Sequence, residues 1–211
     1  MVMPSARALR VAKAVVFAVA LIPFALLVRM VATDQLGPNP IETLNRFTGD
    51  WTLRFLLITL AVTPLRQLTG HHYLVRFRRL LGLFAFFYVC LHFLSWLWID
   101  KLFDIDEMIK DVIKRPFITV GFTCFLLLIP LAVTSTNAMV RRLGGRRWRA
   151  LHRLVYAIGI GGVIHFWWLV KSDIREPLIY AIILGFLLGY RLWVYRRNVS
   201  ARTAVAPAFG K

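Results

Sequence analysis

The stretch LLGLFAFFYVCLHFLSWLWI, Leu80–Ile99, is broken only by His92 and Ser95. An apolar run of about 20 residues crosses the roughly 30 Å hydrocarbon core of a bilayer as a helix. Barrel strands are about ten residues long and alternate, so this run excludes them. Similar runs follow at Phe117–Val133, Leu154–Val170 and Pro177–Tyr195. Ala14–Ala32 is weaker, because Pro23 and Arg29 interrupt it. Trp51–Leu65 is the weakest, being short and carrying Arg54. The expected fold is an all-α membrane protein, a six-helix transmembrane bundle. The first span is read as retained. Arg7, Arg10 and Lys13 resemble the basic start of a signal peptide, but no small-residue cleavage site follows cleanly.

Composition agrees. Of 211 residues, 59% are hydrophobic and only 18% charged, more apolar than a soluble domain. The net charge of +17 lies in short segments between the apolar runs rather than on one face, which argues against nucleic-acid binding. Cys90 and Cys124 sit inside apolar runs without metal-ligand spacing.

Charge also orients the bundle. Arg7, Arg10 and Lys13 precede the first span, and Arg66, Arg76, Arg78 and Arg79 follow the second. Arg141, Arg142, Arg146, Arg147 and Arg149 follow the fourth, and Arg196, Arg197, Arg202 and Lys211 end the chain. The other three loops hold Arg46, Lys101, Lys110, Lys114, Arg115, Lys171 and Arg175. By the positive-inside rule the richer set is cytoplasmic, so both termini are expected inside, N-in/C-in. All ten acidic residues fall in the outer set. The outer loop Asp100–Arg115 has the composition of a short amphipathic helix, and 199–211 reads as a disordered cytoplasmic tail following a domain over 1–198.

Ionisable groups inside a span are costly and mark candidate sites. His92 and His165 lie about 10 and 8 Å from the outer ends of the third and fifth spans, at 1.5 Å per residue, so two helices offer one histidine each at matched depth. Paired axial imidazoles suit a haem iron and leave it no open position. The plain alternative is that each histidine hydrogen-bonds a neighbouring helix. His152, about 20 Å inward of His165 along the same span, suits a second haem, but Arg78 and Arg79 occupy the level where its partner would stand. His71 and His72 in the adjoining loop are weaker candidates. Arg54, Arg79 and Arg153 are candidates for pairing haem propionates, with snorkelling as the bland explanation for arginines at span ends. A transporter or proton relay would need polar groups that these spans mostly lack. A non-catalytic anchor for another enzyme would need no histidines at all.

The segments RRLLGLFAFFYVCLHFLSW (78–96), RPFITVGF (115–122), LAVTSTNAM (131–139) and WRALHRLVYAIGIGGVIHFWW (148–168) resemble the MsrQ family, formerly YedZ. So does LGPNPIETLNRFTGDWTLRFLLITLAVTPLR (36–66). These are haem-binding membrane subunits of bacterial protein-methionine-sulfoxide reductase systems, in the ferric-reductase-like transmembrane group that also includes the NADPH oxidases. The resemblance implies one or two b-type haems held through His92, His152 and His165, and a bound FMN. It implies a bacterial inner (cytoplasmic) membrane protein of the respiratory chain. Electrons would come from the quinone pool or a soluble flavin reductase and go to the periplasmic molybdopterin subunit MsrP. The sulfoxide chemistry, a repair of oxidised methionine in envelope proteins, would lie on that partner. Unlike the larger oxidases, this sequence ends at Lys211 without room for a fused flavin domain, and has no histidine at the inner end of its third span.

Overall fold

The computed structural model describes residues 4–170 and 173–205. Among them every regular element is helical, with no strand. The helices are α1 (Ala6–Ala32), α2 (Pro40–Thr69), α3 (Arg78–Leu94), α4 (Ile105–Lys114), α5 (Pro116–Val133), α6 (Asn137–Leu143), α7 (Gly145–His152), α8 (Leu154–Leu169) and α9 (Arg175–Val205). A 3₁₀ turn over His72–Phe77 leads into α3, and a wide π turn over Ser95–Asp100 continues it. Helix α9 runs to Val205, into the expected tail; 206–211 lie outside the described residues.

Local chemistry sets the boundaries. Ser5 caps α1 by accepting the Ala8 N–H, and Asn39 caps α2 with Pro40 in its first turn. Gly70, at φ 70°, ends α2 in the left-handed conformation that glycine adopts without a steric penalty. Asp104 caps α4, with Asp106 and Glu107 in its first turn and Lys114 in its last, each sign complementing the helix dipole.

Five helical stretches are long and apolar enough to cross a bilayer: Ala6–Ala32, His72–Asp100, Pro116–Val133, Gly145–Leu169 and Arg175–Ser200. Helix α2 does not reach that hydropathy, yet it is the centre of the packing. It buries nine residues, against four each for α3 and α8, so its neighbours are protein rather than lipid and it has no need of an apolar circumference. Helix α3 packs along it, α5 pairs with α8, and α9 closes against α8 and α2. Helix α1 touches α2 and α3 only sparsely. Leu56, Leu60, Phe84, Tyr88, Leu128, Ile158 and Leu184 belong to the common core. Val15, Val19, Ile22, Ile182 and Phe186 face outward, as lipid-facing side chains do.

Two helix-interior prolines are repaired by side chains from other helices. Pro23 disturbs α1, and the fully buried Tyr88 inserts its hydroxyl there, donating to the Ala20 carbonyl at 2.8 Å and accepting the Phe24 N–H at 3.0 Å. Pro64 cannot donate to the Leu60 carbonyl in α2. Arg191 of α9 donates there instead, at 2.5 Å, and lies over the Tyr156 ring. Breaks in membrane helices persist where such partners satisfy the freed groups. Snorkelling is therefore not needed to explain Arg191.

At one end of the bundle, Lys101 is 6% exposed and meets Asp111 at 2.7 Å, Glu107 at 2.8 Å and Asp100 at 3.9 Å. These contacts pin α4 under the preceding turn, where Leu102 and Phe103 take positive φ values of 48° and 62°. Burial works against the Lys101 charge, but the hydrogen bonds to Asp111 and Glu107 outweigh it and raise its pKa above the ordinary lysine value.

Candidate functional site

His92 on α3 and His165 on α8 face each other with ring centres 6.2 Å apart and planes at 75°. Their anchoring follows the same pattern on two different helices. His92 Nδ1 lies 3.0 Å from the Asn45 carbonyl oxygen, and His165 Nδ1 lies 2.6 Å from the Phe117 carbonyl oxygen. A carbonyl can only accept, so each Nδ1 carries the proton and each Nε2 keeps its lone pair. In both helices the residue four positions beyond the anchoring carbonyl is glycine. A Cβ on Gly49 would stand 3.2 Å from His92 Cε1, and one on Gly121 would stand 2.7 Å from His165 Nδ1. Glycine inside a helix costs roughly 1 kcal/mol relative to alanine; here it opens each carbonyl to an imidazole from a neighbouring helix.

The ring spacing defines what the pair can hold. Two metal–imidazole bonds of about 2 Å each leave roughly 2 Å of the 6.2 Å for the two ring half-widths. With both Nε2 atoms turned towards one ion, that spacing would accommodate a single metal. Among the described residues no cluster of three or more His, Cys, Asp or Glu side chains is positioned for a metal. A haem macrocycle is one group that would supply the remaining donors. The slot around the pair holds about 90 Å³, below the 300–1,000 Å³ of common ligand pockets. The ring spacing is held by backbone carbonyls.

A second cavity, about 300 Å³, lies towards the other end of the bundle. His152, Arg78, Arg79, Gly82, Trp148 and Thr59 line it, and Leu56 and Leu128 line both cavities. Here the histidine is held differently. The Thr134 hydroxyl donates to the Pro130 carbonyl at 2.6 Å, so its oxygen accepts from His152 Nε2 at 3.0 Å. The His152 ring stacks on Trp148 at 3.9 Å between centres, and Trp148 Nε1 donates to the Thr134 carbonyl. No second histidine lines this cavity; His71 and His72 are not among its walls.

The arginines divide. Arg79 lines the His152 cavity and donates to Asn137 Oδ1 at 2.8 Å. Arg54 donates to the Tyr180 hydroxyl at 2.9 Å, approaches Asp50 at 3.7 Å and lies over Trp51, and does not line the slot at the histidine pair. Arg153 is exposed and lines neither cavity. Arg46 and Asp50 do line the slot at the histidine pair, and sequence reasoning did not single them out as site residues. Their signal was helical phase: Arg46, Gly49, Leu53 and Leu56 recur at the three- and four-residue spacing of one helix face.

The family described as "Ferric reductase like transmembrane component" matches residues 14–163. A relative from Herminiimonas arsenicoxydans is 56% identical over 92% of this chain and 91% of its own length. One from Ralstonia nicotianae is 57% identical over 89% of this chain and 87% of its own. A third, from Azospira oryzae, is 52% identical over 90% and 82%. Each is described as the "Protein-methionine-sulfoxide reductase heme-binding subunit MsrQ". No solved structure matches the chain.

Proposed function

The chain belongs to the MsrQ group of the ferric-reductase-like transmembrane family, and from that membership we propose that His92 and His165 are the axial ligands of a b-type haem. The chain is then the electron-transfer subunit of a methionine sulfoxide reductase system. The observation that carries the ligand assignment is the facing pair of rings, 6.2 Å apart, with both Nδ1 atoms committed to backbone carbonyls.

A haem held there by His92 and His165 would supply one-electron transfer. The chain's residues supply the rest. The Asn45 and Phe117 carbonyls fix the tautomers and aim Nε2. Gly49 and Gly121 leave room for the rings. His152 is the candidate ligand of a second haem in the inner cavity, with Arg78 and Arg79 placed to balance acidic substituents. Arg54 and Arg153 are weaker propionate partners, since neither borders a cavity.

In this reading α2 is a sixth span, both termini are cytoplasmic, and the protein resides in the bacterial inner membrane. The burial of α2 and the segregation of acids support the span count. Electrons arrive from membrane quinol or a soluble flavin reductase, with FMN as a further cofactor. They leave to the periplasmic molybdopterin subunit MsrP, where the sulfoxide is reduced. Reduced-minus-oxidised spectra of the purified protein test the central assignment. Wild type is expected to show haem bands whose component from the His92–His165 site is lost in His92→Ala and in His165→Ala; unchanged bands in either variant sink it. Labelling of single cysteines placed in each loop from either side of sealed vesicles tests the orientation.

A further inference from the structure

A third cavity, about 610 Å³, opens on the outside of the bundle between α1 and the start of α3. Lys13, Arg76, Arg79 and Asn137 supply its polar groups. Lys13 and Arg79 precede the apolar runs of α1 and α3, Arg76 lies in the 3₁₀ turn just before α3, and Asn137 begins α6. Its apolar wall lies about one turn further along those helices: Phe17 follows Lys13 by four residues, Leu80 follows Arg76 and Leu83 follows Arg79. On a helix that spacing stacks side chains on one face. The cleft is thus cationic at the membrane border and apolar immediately beneath it.

Among the described residues no carboxylate pairs with those cations. Every ion pair among the described residues uses an acid from the opposite set of loops, and none involves Lys13, Arg76 or Arg79. Phe17 is 48% and Leu83 38% exposed, so the apolar wall also lacks a protein cover. Helix α1 has few contacts with the bundle, and the cleft lies where it could be tied to α3.

We propose that this cleft binds one anionic phospholipid, its phosphate held by Lys13, Arg76 and Arg79 and its acyl chains against Phe17, Leu80 and Leu83. A basic pocket between membrane helices at the border recognises an acidic headgroup through charge. The apolar floor selects a lipid over a soluble anion, because only a lipid brings hydrocarbon to cover it. Arg79 also lines the inner cavity, so the lipid sits one side chain away from His152's surroundings.

The test uses the full-length protein in detergent, with native mass spectrometry counting retained phosphatidylglycerol during titration. Wild type is expected to keep one tightly held lipid. Lys13→Gln with Arg76→Gln should weaken it about thirty-fold, from two interfacial charges, while Lys13→Arg with Arg76→Lys should restore it. Arg146→Gln with Arg147→Gln, on α7 and outside the cleft, should leave it in place. The proposal is overturned if no lipid is retained, or if the α7 pair weakens binding as much as the cleft pair, which would mean only a diffuse positive field. Displacement of the lipid by millimolar inorganic phosphate or FMN would overturn it equally, marking the cleft as a soluble-anion site. If the double glutamine variant does not fold, Phe17→Asp with Leu83→Asp offers a second route. Retained tight binding by that variant would also sink the proposal.

Discussion

Helices α7 and α8 carry one histidine towards each end of the bundle, and the two ends treat their histidine in opposite ways. At the end proposed as outer, His165 is held through Nδ1 by a backbone carbonyl, and a second imidazole faces it. At the end proposed as inner, His152 is held through Nε2 by a threonine hydroxyl, lies flat on Trp148, and faces arginines. A carbonyl is part of the backbone and cannot rotate away, so the His92–His165 pair is held rigidly. A hydroxyl on a side chain can turn, so the inner histidine is held by a contact that a ligand can replace. Geometry alone therefore ranks the outer site as the firmer one.

The largest test removes a facing ring. His165→Ala is expected to abolish the outer haem signal outright, whereas His152→Ala should leave that component intact; equal losses in titrated haem content would erase the distinction. Next in size is Gly121→Ala, whose Cβ would overlap the His165 ring at 2.7 Å. Outer haem occupancy should fall several-fold, with Gly49→Ala milder because its contact is 3.2 Å. If Gly49→Ala proves the more damaging by pyridine haemochrome assay, the carbonyl-and-glycine account of the anchors is wrong.

A third variant, Lys101→Met, probes the charge difference between the ends. It leaves Asp111 and Glu107 without their buried partner and should cost about 3 kcal/mol of local stability, read as faster hydrogen exchange in α4. The pH dependence has a definite sign. A lysine whose folded pKa is raised stabilises fully below its unfolded value and loses that contribution as pH rises through the folded one. Protection of α4 should thus hold from neutrality to about pH 10 and fall only above that. The smallest effect is expected from Thr134→Val, which removes one hydrogen bond worth about 1 kcal/mol. It should alter only the inner spectrum.

The histidine pair was legible in sequence because depth along a helix is a matter of counting residues. What holds the pair was not. Asn45 and Phe117 act through carbonyls that every residue possesses, so their side chains carry no sign of the role. Gly49 and Gly121 matter only because each lies four residues past one of those carbonyls. Arg54 looked like a ligand partner because it lies inside an apolar run. Eight positions beyond Arg46 turns it about 80° around the helix, off the slot and onto Tyr180. Helix α2 read as the weakest span for a related reason. Hydropathy measures suitability for lipid, and α2 buries more residues against its neighbours than α3 or α8 does. The repairs of Pro23 and Pro64 by Tyr88 and Arg191 link residues 64 and 131 positions apart, beyond the reach of any local pattern.

Leu56 and Leu128 stand between the two cavities, and both end in hydrocarbon. A proton needs a chain of donors and acceptors to cross such a wall, whereas an electron can tunnel through it. In the proposed orientation such a wall would let electrons pass outward while hindering protons. In the proposed orientation each electron also leaves a negative interior for a positive exterior. A full crossing gains about 2.3 kcal/mol per 100 mV, so the membrane potential itself helps drive export.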